Sequence, residues 1–352
     1  MSTIFVHEHV AGGGLGERAT SGALFDEGLA MLRAFVADLV ACPGVDVVTT
    51  IDRRVAREAR LATAARVVVV ERSERIDDVV LELAKRSDRT LLIAPEIDSR
   101  LEELARAVTA IGAELLGGSV DAIRLASDKL LLAQHLLRAG VPTPSAECAT
   151  AGKSWPEARV VKPRFGAGSI DIELVGAGSP TPPSGSERIA TPFVDGVAAS
   201  VLCLVASGRI VPCPACEQIV SRVRGFRYEG GLYPLAGSLE HPLARRARDL
   251  ALAAVQSLPA PRGFFGVDLV LDAAHPERDC VIEINPRLTT SYCGLRERTR
   301  ANLAGALLEL LRGADVEIEW IDATLSFDAR GTTGTTSGVT TNTACPWRPV
   351  RA

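Results

Sequence analysis

The sequence predicts a multidomain chain that joins an α/β half to an α+β half. The chain has 352 residues, of which 47% are hydrophobic and 23% charged, so it is long enough for two or three domains. Its first 118 residues alternate strand-like and helix-like segments, which is typical of a parallel sheet covered by helices. From residue 159 the pattern changes to short strands, which indicates a small antiparallel domain.

Hydrophobic periodicity predicts the elements of the N-terminal half. Apolar runs predict strands, and apolar residues at helical spacing, such as Leu29, Leu32 and Val36, predict helices. The predicted strands cover residues 3–6, 45–51, 66–70, 90–94 and 113–116. The predicted helices cover residues 25–40, 76–85 and 100–111.

The C-terminal half begins with two predicted helices over residues 119–126 and 127–139, the second stopped by Gly140 and Pro142. A hairpin is predicted over residues 263–287, and from Thr324 the chain is rich in Thr and Gly with little to bury, so we expect a disordered tail. The other predicted strands cover residues 159–162, 170–175, 189–194, 200–206 and 209–212, and the other predicted helices cover residues 242–257 and 303–311.

These patterns define domain boundaries. We expect an N-terminal α/β domain over residues 1–118, a second domain over residues 119–322 and the tail over residues 323–352. The second domain divides into a helical lead-in (119–158), a small subdomain (159–196) and a larger subdomain (197–322).

The composition excludes several classes of partner. The 39 basic and 43 acidic side chains give a net charge of −4 and only 4% of residues are aromatic, so neither a basic nucleic-acid surface nor a base-stacking platform is indicated. No apolar run reaches the roughly 20 residues of a membrane span, and the N-terminus begins as a strand without a basic targeting region. We therefore expect a cytoplasmic protein whose partners are small molecules, with no nucleic acid and no membrane.

Cysteine and histidine patterns indicate neither disulfides nor zinc. Most of the eight cysteines lie in apolar stretches, so we expect buried, reduced thiols. Cys213 and Cys216 form a C-x-x-C, but no second pair at zinc spacing follows. His7 and His9 flank Glu8 without a third nitrogen ligand nearby.

The predicted hairpin over residues 263–287 carries the strongest functional pattern. Its alternation of polar and apolar residues predicts that Asp268, Glu283 and Asn285 share one face. Three oxygen ligands suit Mg²⁺ held between protein and nucleotide phosphates, and Arg287 follows two residues later on the same side. The alternative is a hairpin whose polar side faces solvent.

A second pattern indicates phosphate binding. Lys162 ends an apolar strand and is followed by Gly166 and Gly168, which let backbone N–H groups approach phosphate oxygens. Lys129, near a predicted helix start, supplies a second positive charge. The alternatives are solvent-exposed lysines and an ordinary hairpin turn.

Four further glycines, Gly12, Gly13, Gly14 and Gly16, follow the first strand. Their spacing is not a G-x-G-x-x-G that opens directly into a helix, so a flexible substrate loop is favoured over a dinucleotide site.

In chain order these patterns resemble the ATP-grasp superfamily over about residues 119–312. The resemblance implies an ATP-grasp fold with an N-terminal parallel α/β (pre-ATP-grasp) domain, in which residues 159–196 clamp the nucleotide. It also implies an ATP-dependent ligase that forms an acyl phosphate from a carboxylate and then an amide with an amine. The matching segments are Asp128-Lys129, Lys162 with the Gly166 to Ser169 loop, the hinge from Thr191 to Gly196, and Asp268, Glu283, Asn285 and Arg287.

By resemblance each motif has a role. The two lysines would contact the α- and β-phosphates, the glycine loop would cover the γ-phosphate, and the hinge would bind adenine through the Pro192 carbonyl and the Val194 amide. Arg287 would hold the acyl phosphate or the tetrahedral oxyanion. Asp268, Glu283 and Asn285 would hold Mg²⁺, with Mn²⁺ as the alternative. The implied nucleotide-binding set is Lys129, Lys162, Gly166, Gly168, Ser169, Pro192, Phe193, Val194 and Asp195.

The sequence departs from the family at one position. Where an acidic residue commonly binds the ribose hydroxyls, this chain has Ala198. Asp195 is the candidate substitute, and weaker nucleotide affinity is the alternative.

Three motifs in or next to the N-terminal half, and one in the C-terminal half, are similar to those of tyramine–L-glutamate ligases of methanofuran biosynthesis, in one-carbon metabolism. They are Glu8 with the glycines after it, Ala94-Pro-Glu96, Leu116-Gly-Gly-Ser119 and Tyr228-Glu-Gly-Gly231. This resemblance implies that Glu8, Gly13, Tyr228 and Glu229 contact substrate, and the superfamily allows a homodimer. The alternatives are another ATP-grasp amino-acid or polyglutamate ligase, and an ATP-binding module without turnover, which Ala198 favours.

Overall fold

The structure is a computed structural model that describes residues 1–15, 20–71, 75–184, 187–221 and 225–335. Three β-sheets organise these residues. A four-stranded sheet lies near the N-terminus, a second four-stranded sheet follows, and an eight-stranded sheet holds the C-terminal half.

The N-terminal sheet is parallel, with strand order β3-β2-β1-β4. In this order β1 has neighbours on both sides and Glu8 at its end pairs with Ile93 at the end of β4, so the switch point of the sheet lies there. The strands are β1 (Ser2–Glu8), β2 (Val45–Asp52), β3 (Arg66–Val70) and β4 (Arg89–Ile93), and the helices are α1 (Ala23–Val40), α2 (Ile76–Lys85) and α3 (Arg100–Ala110).

Helix α1 joins the N-terminal sheet to the C-terminal half. Its apolar face buries Leu32 and Phe35 completely, and the Phe35 ring packs edge-on against Phe264 and Tyr292 at centroid distances of 5.5 and 5.9 Å. These residues belong to one hydrophobic cluster, so the two halves share a core.

The second sheet is small and antiparallel, with strand order β5-β8-β6-β7. Two helices precede it, and Asp128 between them caps the second by accepting hydrogen bonds from the Leu130 and Leu131 amides. The elements are α4 (Val120–Ser127), α5 (Lys129–Arg138), β5 (Glu147–Cys148), β6 (Arg159–Pro163), β7 (Glu173–Val175) and β8 (Arg188–Pro192).

The large sheet has the order β14-β13-β9-β11-β12-β15-β16, with β10 paired to β9. Its strands are β9 (Val197–Ala206), β10 (Arg209–Pro212), β11 (Cys216–Ser221), β12 (Arg227–Tyr233), β13 (Gly263–Leu271), β14 (Cys280–Asn285), β15 (Leu325–Asp328) and β16 (Thr333–Thr335). Its helices are α6 (Pro242–Gln256), α7 (Ser291–Leu295) and α8 (Leu303–Leu311).

The disordered-tail prediction is wrong for residues 325–335. Strand β15 pairs with β12, and Leu325 and Phe327 are buried, so even this Thr- and Gly-rich segment contributes to the core. The remaining predicted tail, residues 336–352, lies outside the described residues.

Other predicted segments differ in detail. The predicted strand over residues 113–116 is a single bridge between Thr90 and Leu115, and the predicted strand over residues 170–175 is confined to Glu173–Val175. The motif from Tyr228 to Gly231, where no strand was predicted, lies within β12. Of the glycines predicted to form a flexible loop, Gly12, Gly13 and Gly14 lie in one helical turn, Val10–Gly14, and Gly16 lies outside the described residues.

Two general features follow from these elements. The seven cysteines in the described ranges carry free thiols, and all except Cys148 are buried. In the same ranges, no helix combines the length and the apolar character needed to cross a membrane.

Candidate active site

The hairpin of β13 and β14 forms the floor of the candidate site. Asp268 pairs directly with Glu283, and Gly266 pairs with Asn285. The register shifts between Asp268 and Leu269, a bulge of the kind that re-aims side chains next to active sites. The structure therefore brings Asp268 and Glu283 together as cross-strand neighbours on one face.

Two side-chain amides hold the Asp268 carboxylate. Asn285 Nδ2 donates to Oδ2 at 3.0 Å, and Gln218 Nε2 donates to Oδ1 at 2.8 Å. Burial, together with repulsion from Glu283, raises the pKa of Asp268 to about 7. Two adjacent carboxylates at this depth repel each other, and a cation would relieve that repulsion.

This donor set fits a shared Mg²⁺ ion. In the part of the chain that the structure describes, no three His, Cys, Asp or Glu side chains converge as a metal site. A metal at Asp268 and Glu283 would therefore also need the amide oxygen of Asn285 and oxygens from phosphate. That mixture of hard oxygen ligands is the one that Mg²⁺ prefers when it binds with nucleotides.

Both predicted lysines reach the same carboxylate. Lys129 Nζ and Lys162 Nζ each lie 3.6 Å from Glu283 Oε2. Burial acts to raise the pKa of Glu283, but Lys129, Lys162 and Arg287 together outweigh it and lower that pKa, whereas burial lowers the pKa of Lys162. The two lysines thus place two buried positive charges beside the carboxylates, where they can also pair with the oxygens of a phosphate.

The glycine loop is tied to the start of α5. Lys129 Nζ donates to the Gly166 carbonyl at 2.7 Å, and the Lys129 amide donates to the Arg164 carbonyl at 3.2 Å. Arg164 in turn forms a paired contact with Asp128, at 2.9 and 2.6 Å. Gly168 has a φ of 67°, a conformation that glycine adopts at little cost. Sequence reasoning missed Arg164, although it adjoins the predicted loop.

A cavity of about 240 Å³ lies above this floor. The hinge residues Pro192, Phe193 and Val194 line one wall, and Gly168 and Ser169 of the glycine loop line another. Lys162, Asp268, Glu283, Asn285 and Arg287 also face it. Lys129 lies behind Lys162, against a smaller space of about 20 Å³.

The ribose prediction stays a prediction. Ala198, which stands where the family commonly has an acidic residue, lines the cavity wall. Asp195 is not among the lining residues of the cavity and lies on a neighbouring surface groove instead.

Arg287 connects the two halves of the chain. Its Nε and Nη2 each donate at 3.0 Å to Glu96, which lies just beyond β4, in a paired contact that spans 191 residues of sequence. Burial opposes the positive charge, but Glu96, Glu27 and Glu283 raise the pKa of Arg287. The sequence places Glu96 in a motif but does not reveal its role, because two residues so far apart in the chain form no local pattern.

The predicted substrate residues divide into two groups. Tyr228 lines the large cavity, and Glu8 lines a second space of about 20 Å³ beside it. Glu229 pairs with Arg227 on the exposed part of β12, and Gly13 packs near Val70, away from both cavities. The structure thus brings Tyr228 and Glu8 to the site but not Gly13 or Glu229.

Comparisons with known proteins match this geometry. The sequence profile of an ATP-grasp domain matches residues 126–291, and that of a pre ATP-grasp 3 domain matches residues 45–123. The chain belongs to the ATP-grasp ligases. Such ligases use ATP and a divalent metal ion to join a carboxylate to an amine.

Two curated relatives of this ATP-grasp ligase are tyramine–L-glutamate ligases. The protein from Methanocaldococcus jannaschii is 26% identical over 245 residues, which cover 69% of this chain and 70% of the relative. The protein from Methanocaldococcus fervens is 27% identical over 247 residues, covering 69% and 74%. A crystal structure described as an ATP-grasp superfamily protein from Archaeoglobus fulgidus has a TM-score of 0.70 and 25% identity, covering 93% of this chain and 92% of that chain.

Proposed function

We propose that this ligase joins L-glutamate to tyramine or a related amine, in the biosynthesis of a methanofuran-like one-carbon cofactor. The two curated relatives named for this reaction support the substrate pair. The single observation that carries the reaction class is the convergence of Lys129 and Lys162 on Glu283, beside Asp268, at the floor of a cavity.

ATP is the first substrate. Adenine lies against the hinge from Pro192 to Val194, and the phosphates lie toward Lys162 and Lys129, whose charges then pair with phosphate oxygens. Asp268, Glu283 and Asn285 would hold Mg²⁺, which supplies neutralisation of phosphate charge when bound. Gly168 and Ser169 bring backbone groups to the same end of the cavity.

The chemistry has two steps. An oxygen of the substrate carboxylate attacks the γ-phosphorus, the bond to the β-phosphate oxygen breaks, and ADP leaves. The amine enters as an ammonium and first loses one proton to water. Its neutral nitrogen then attacks the acyl carbon, phosphate leaves, and the nitrogen loses a second proton to give the amide. Arg287, fixed by Glu96, is placed to stabilise the charge on the acyl phosphate and on the tetrahedral oxyanion.

ADP release from MgATP tests the proposal, with L-glutamate and tyramine supplied together and each omitted in turn. We expect turnover only with both substrates and loss of turnover in Glu283→Ala. Glu309→Ala is the matched control, because Glu309 pairs with Arg312 on the surface of α8 and should retain wild-type turnover. Turnover with a second amino acid in place of tyramine would instead indicate a dipeptide or polyglutamate ligase, and no turnover with any pair would refute the proposal.

A further inference from the structure

Three residues are common to the walls of the two adjoining cavities. Glu27, Gly168 and Arg287 line both the large cavity and the small space beside Glu8. Arg287 and Gly168 are already assigned to the acyl phosphate and to the glycine loop. Glu27, in the second turn of α1, has no assigned role, although it lines both cavities.

The Glu27 carboxylate is weakly bonded for its position. Among the described residues, its hydrogen bond comes from the Thr290 hydroxyl at a long 3.5 Å. Burial raises the pKa of Glu27 to about 7, and the charge of Arg287 only partly opposes this. A carboxylate in this state gains more from a cationic partner than one that is already fully hydrogen-bonded.

The neighbouring carboxylates have partners. Glu8 accepts hydrogen bonds from the Ala11 amide at 2.6 Å and the Val10 amide at 3.2 Å, so it holds the turn after β1. Glu96 holds Arg287 through both of its oxygens. Of these three carboxylates at the end of the parallel sheet, Glu27 is therefore the one with capacity for a ligand.

Tyr228 stands in the same wall. Its pKa is raised well above the ordinary value, mainly by burial, with further contributions from acidic neighbours that include Glu27 and Asp268. Tyr228, Glu27 and Asp268 all line the large cavity. An amine with an apolar body has an aromatic surface to pack on and a carboxylate within range of its charged end.

We propose that Glu27 binds the ammonium group of the amine substrate and holds it beside Arg287, where the acyl phosphate forms. This inference rests on the proposed ligase function and extends it, because it assigns the amine subsite to the first turns of α1. The substrate class is a primary ammonium whose apolar remainder packs toward Tyr228. Glu27 replaces Glu8, the residue that the sequence suggested for this contact.

The test compares Glu27→Gln with Asp26→Asn. The control removes one negative charge from the same helix, at a residue whose carboxylate pairs with Arg330 instead of facing the cavity. We expect Glu27→Gln to raise the KM for tyramine by about tenfold or more, the effect of losing one charge-assisted hydrogen bond, with the KM for ATP unchanged. Glu27→Asp should recover part of the loss, and Asp26→Asn should match the wild type.

A neutral analogue separates charge recognition from folding. Tyrosol has a hydroxyl where tyramine has an ammonium, so the wild type should bind tyramine more tightly than tyrosol as measured by competitive inhibition. In Glu27→Gln this preference should fall by the same factor as the rise in KM. An unchanged preference would overturn the inference, and so would a rise confined to the KM for L-glutamate.

Wild-type turnover is measured first, so that failure of the proposed ligase function can be distinguished from failure of the inference about Glu27. Absence of turnover with any amine would refute the ligase function and this inference with it. Turnover in the wild type, together with a KM for tyramine in Glu27→Gln that equals the wild-type value, would refute the inference alone.

Discussion

The contact between Arg287 and Glu96 predicts a coupled loss of stability and turnover in Glu96→Gln. Arg287 Nε and Nη2 donate to the two Glu96 oxygens at 3.0 Å each. The two side chains are only 11% and 3% exposed, so water cannot replace the lost carboxylate. Glutamine keeps the shape and one acceptor but removes the charge and the second acceptor.

The expected magnitude follows from the surroundings of Arg287. Removing one partner of a buried ion pair costs roughly 3–5 kcal/mol when the remaining charge has no other partner. Here Glu27 and Glu283 still act on Arg287, and the glutamine oxygen still accepts one hydrogen bond, so we expect a loss of about 2 kcal/mol in the free energy of unfolding. If the transition state of the reaction is destabilised by the same about 2 kcal/mol, kcat falls about 30-fold.

Urea unfolding and steady-state kinetics measure the two effects. The KM for ATP should stay near the wild-type value, because Arg287 acts on the acyl phosphate and not on the nucleotide. The matched control is Glu114→Gln, which removes the carboxylate of the exposed pair with Arg89 and should change the free energy of unfolding by less than about 1 kcal/mol.

A double variant separates folding from chemistry. Glu96→Gln combined with Arg287→Met removes both charges, and such a replacement of a buried pair is often close to neutral for stability. We expect the double variant to recover most of the lost stability but to turn over more slowly than Glu96→Gln, because Arg287 itself is then missing. Wild-type kcat in Glu96→Gln would refute the reasoning, because Arg287 would then hold its orientation without Glu96.

Three further predictions address other parts of the chain. Lys162→Met should lower kcat/KM for ATP by about 10- to 100-fold, whereas Lys153→Met at the surface should not; equal kinetics in both would exclude Lys162 from phosphate binding. Glu8 has its pKa raised by burial from 4.5 to about 7, so the folded state holds its proton more tightly and the wild type loses stability as pH rises through that range. Between about pH 5 and about pH 8, urea unfolding should therefore show the free energy of unfolding of the wild type falling by about 2 kcal/mol relative to that of Glu8→Gln. A difference between the two proteins that does not change with pH would contradict the burial argument. Phe327→Ala should cost about 3–5 kcal/mol in urea unfolding, since Phe327 is buried and stacks on Tyr233, whereas a tail without structure would show no change.

Much of the architecture could be predicted because its signals are local. Helices such as α2 and α8 repeat apolar residues at helical spacing, and their predicted bounds match the structure to the residue. The paired strands around Asp268 and Glu283 were predictable for the same reason, since strand alternation places both side chains on one face.

Strand β12 was missed because its glycines resemble a turn. Gly230 has a φ of 139°, and a Cβ there would collide with the backbone of Phe327 on the neighbouring strand. The glycines therefore allow two strands to approach closely, and the partner strand lies about a hundred residues away in a segment of low hydrophobicity. No short stretch of the sequence contains both of these strands, so no local pattern reveals their pairing.

The same limit applies to the site. Lys129, Lys162 and the metal-type carboxylates could be found because each stands in a short motif of one segment. Glu96 and Glu27 could not, since the Arg287 partner of Glu96 and the Thr290 partner of Glu27 lie 191 and 263 positions away in the chain. Such pairings depend on how α1 and β4 dock against the large sheet, and only the folded chain defines that docking.

The charged groups of the site divide by their position in the chain. The groups assigned to ATP lie within residues 126–291, and they are Lys129, Lys162, Asp268 and Glu283. The carboxylates at the opposite end come from residues before 100, and they are Glu8, Glu27 and Glu96. Arg287 pairs with Glu96 and interacts electrostatically with Glu283, so it couples the phosphate end of the site to the N-terminal domain. On the proposed assignment of the amine subsite, a change of amine would involve substitutions around α1 and the end of β4 and leave the phosphate-binding residues unchanged, whereas a change at Arg287 would alter both.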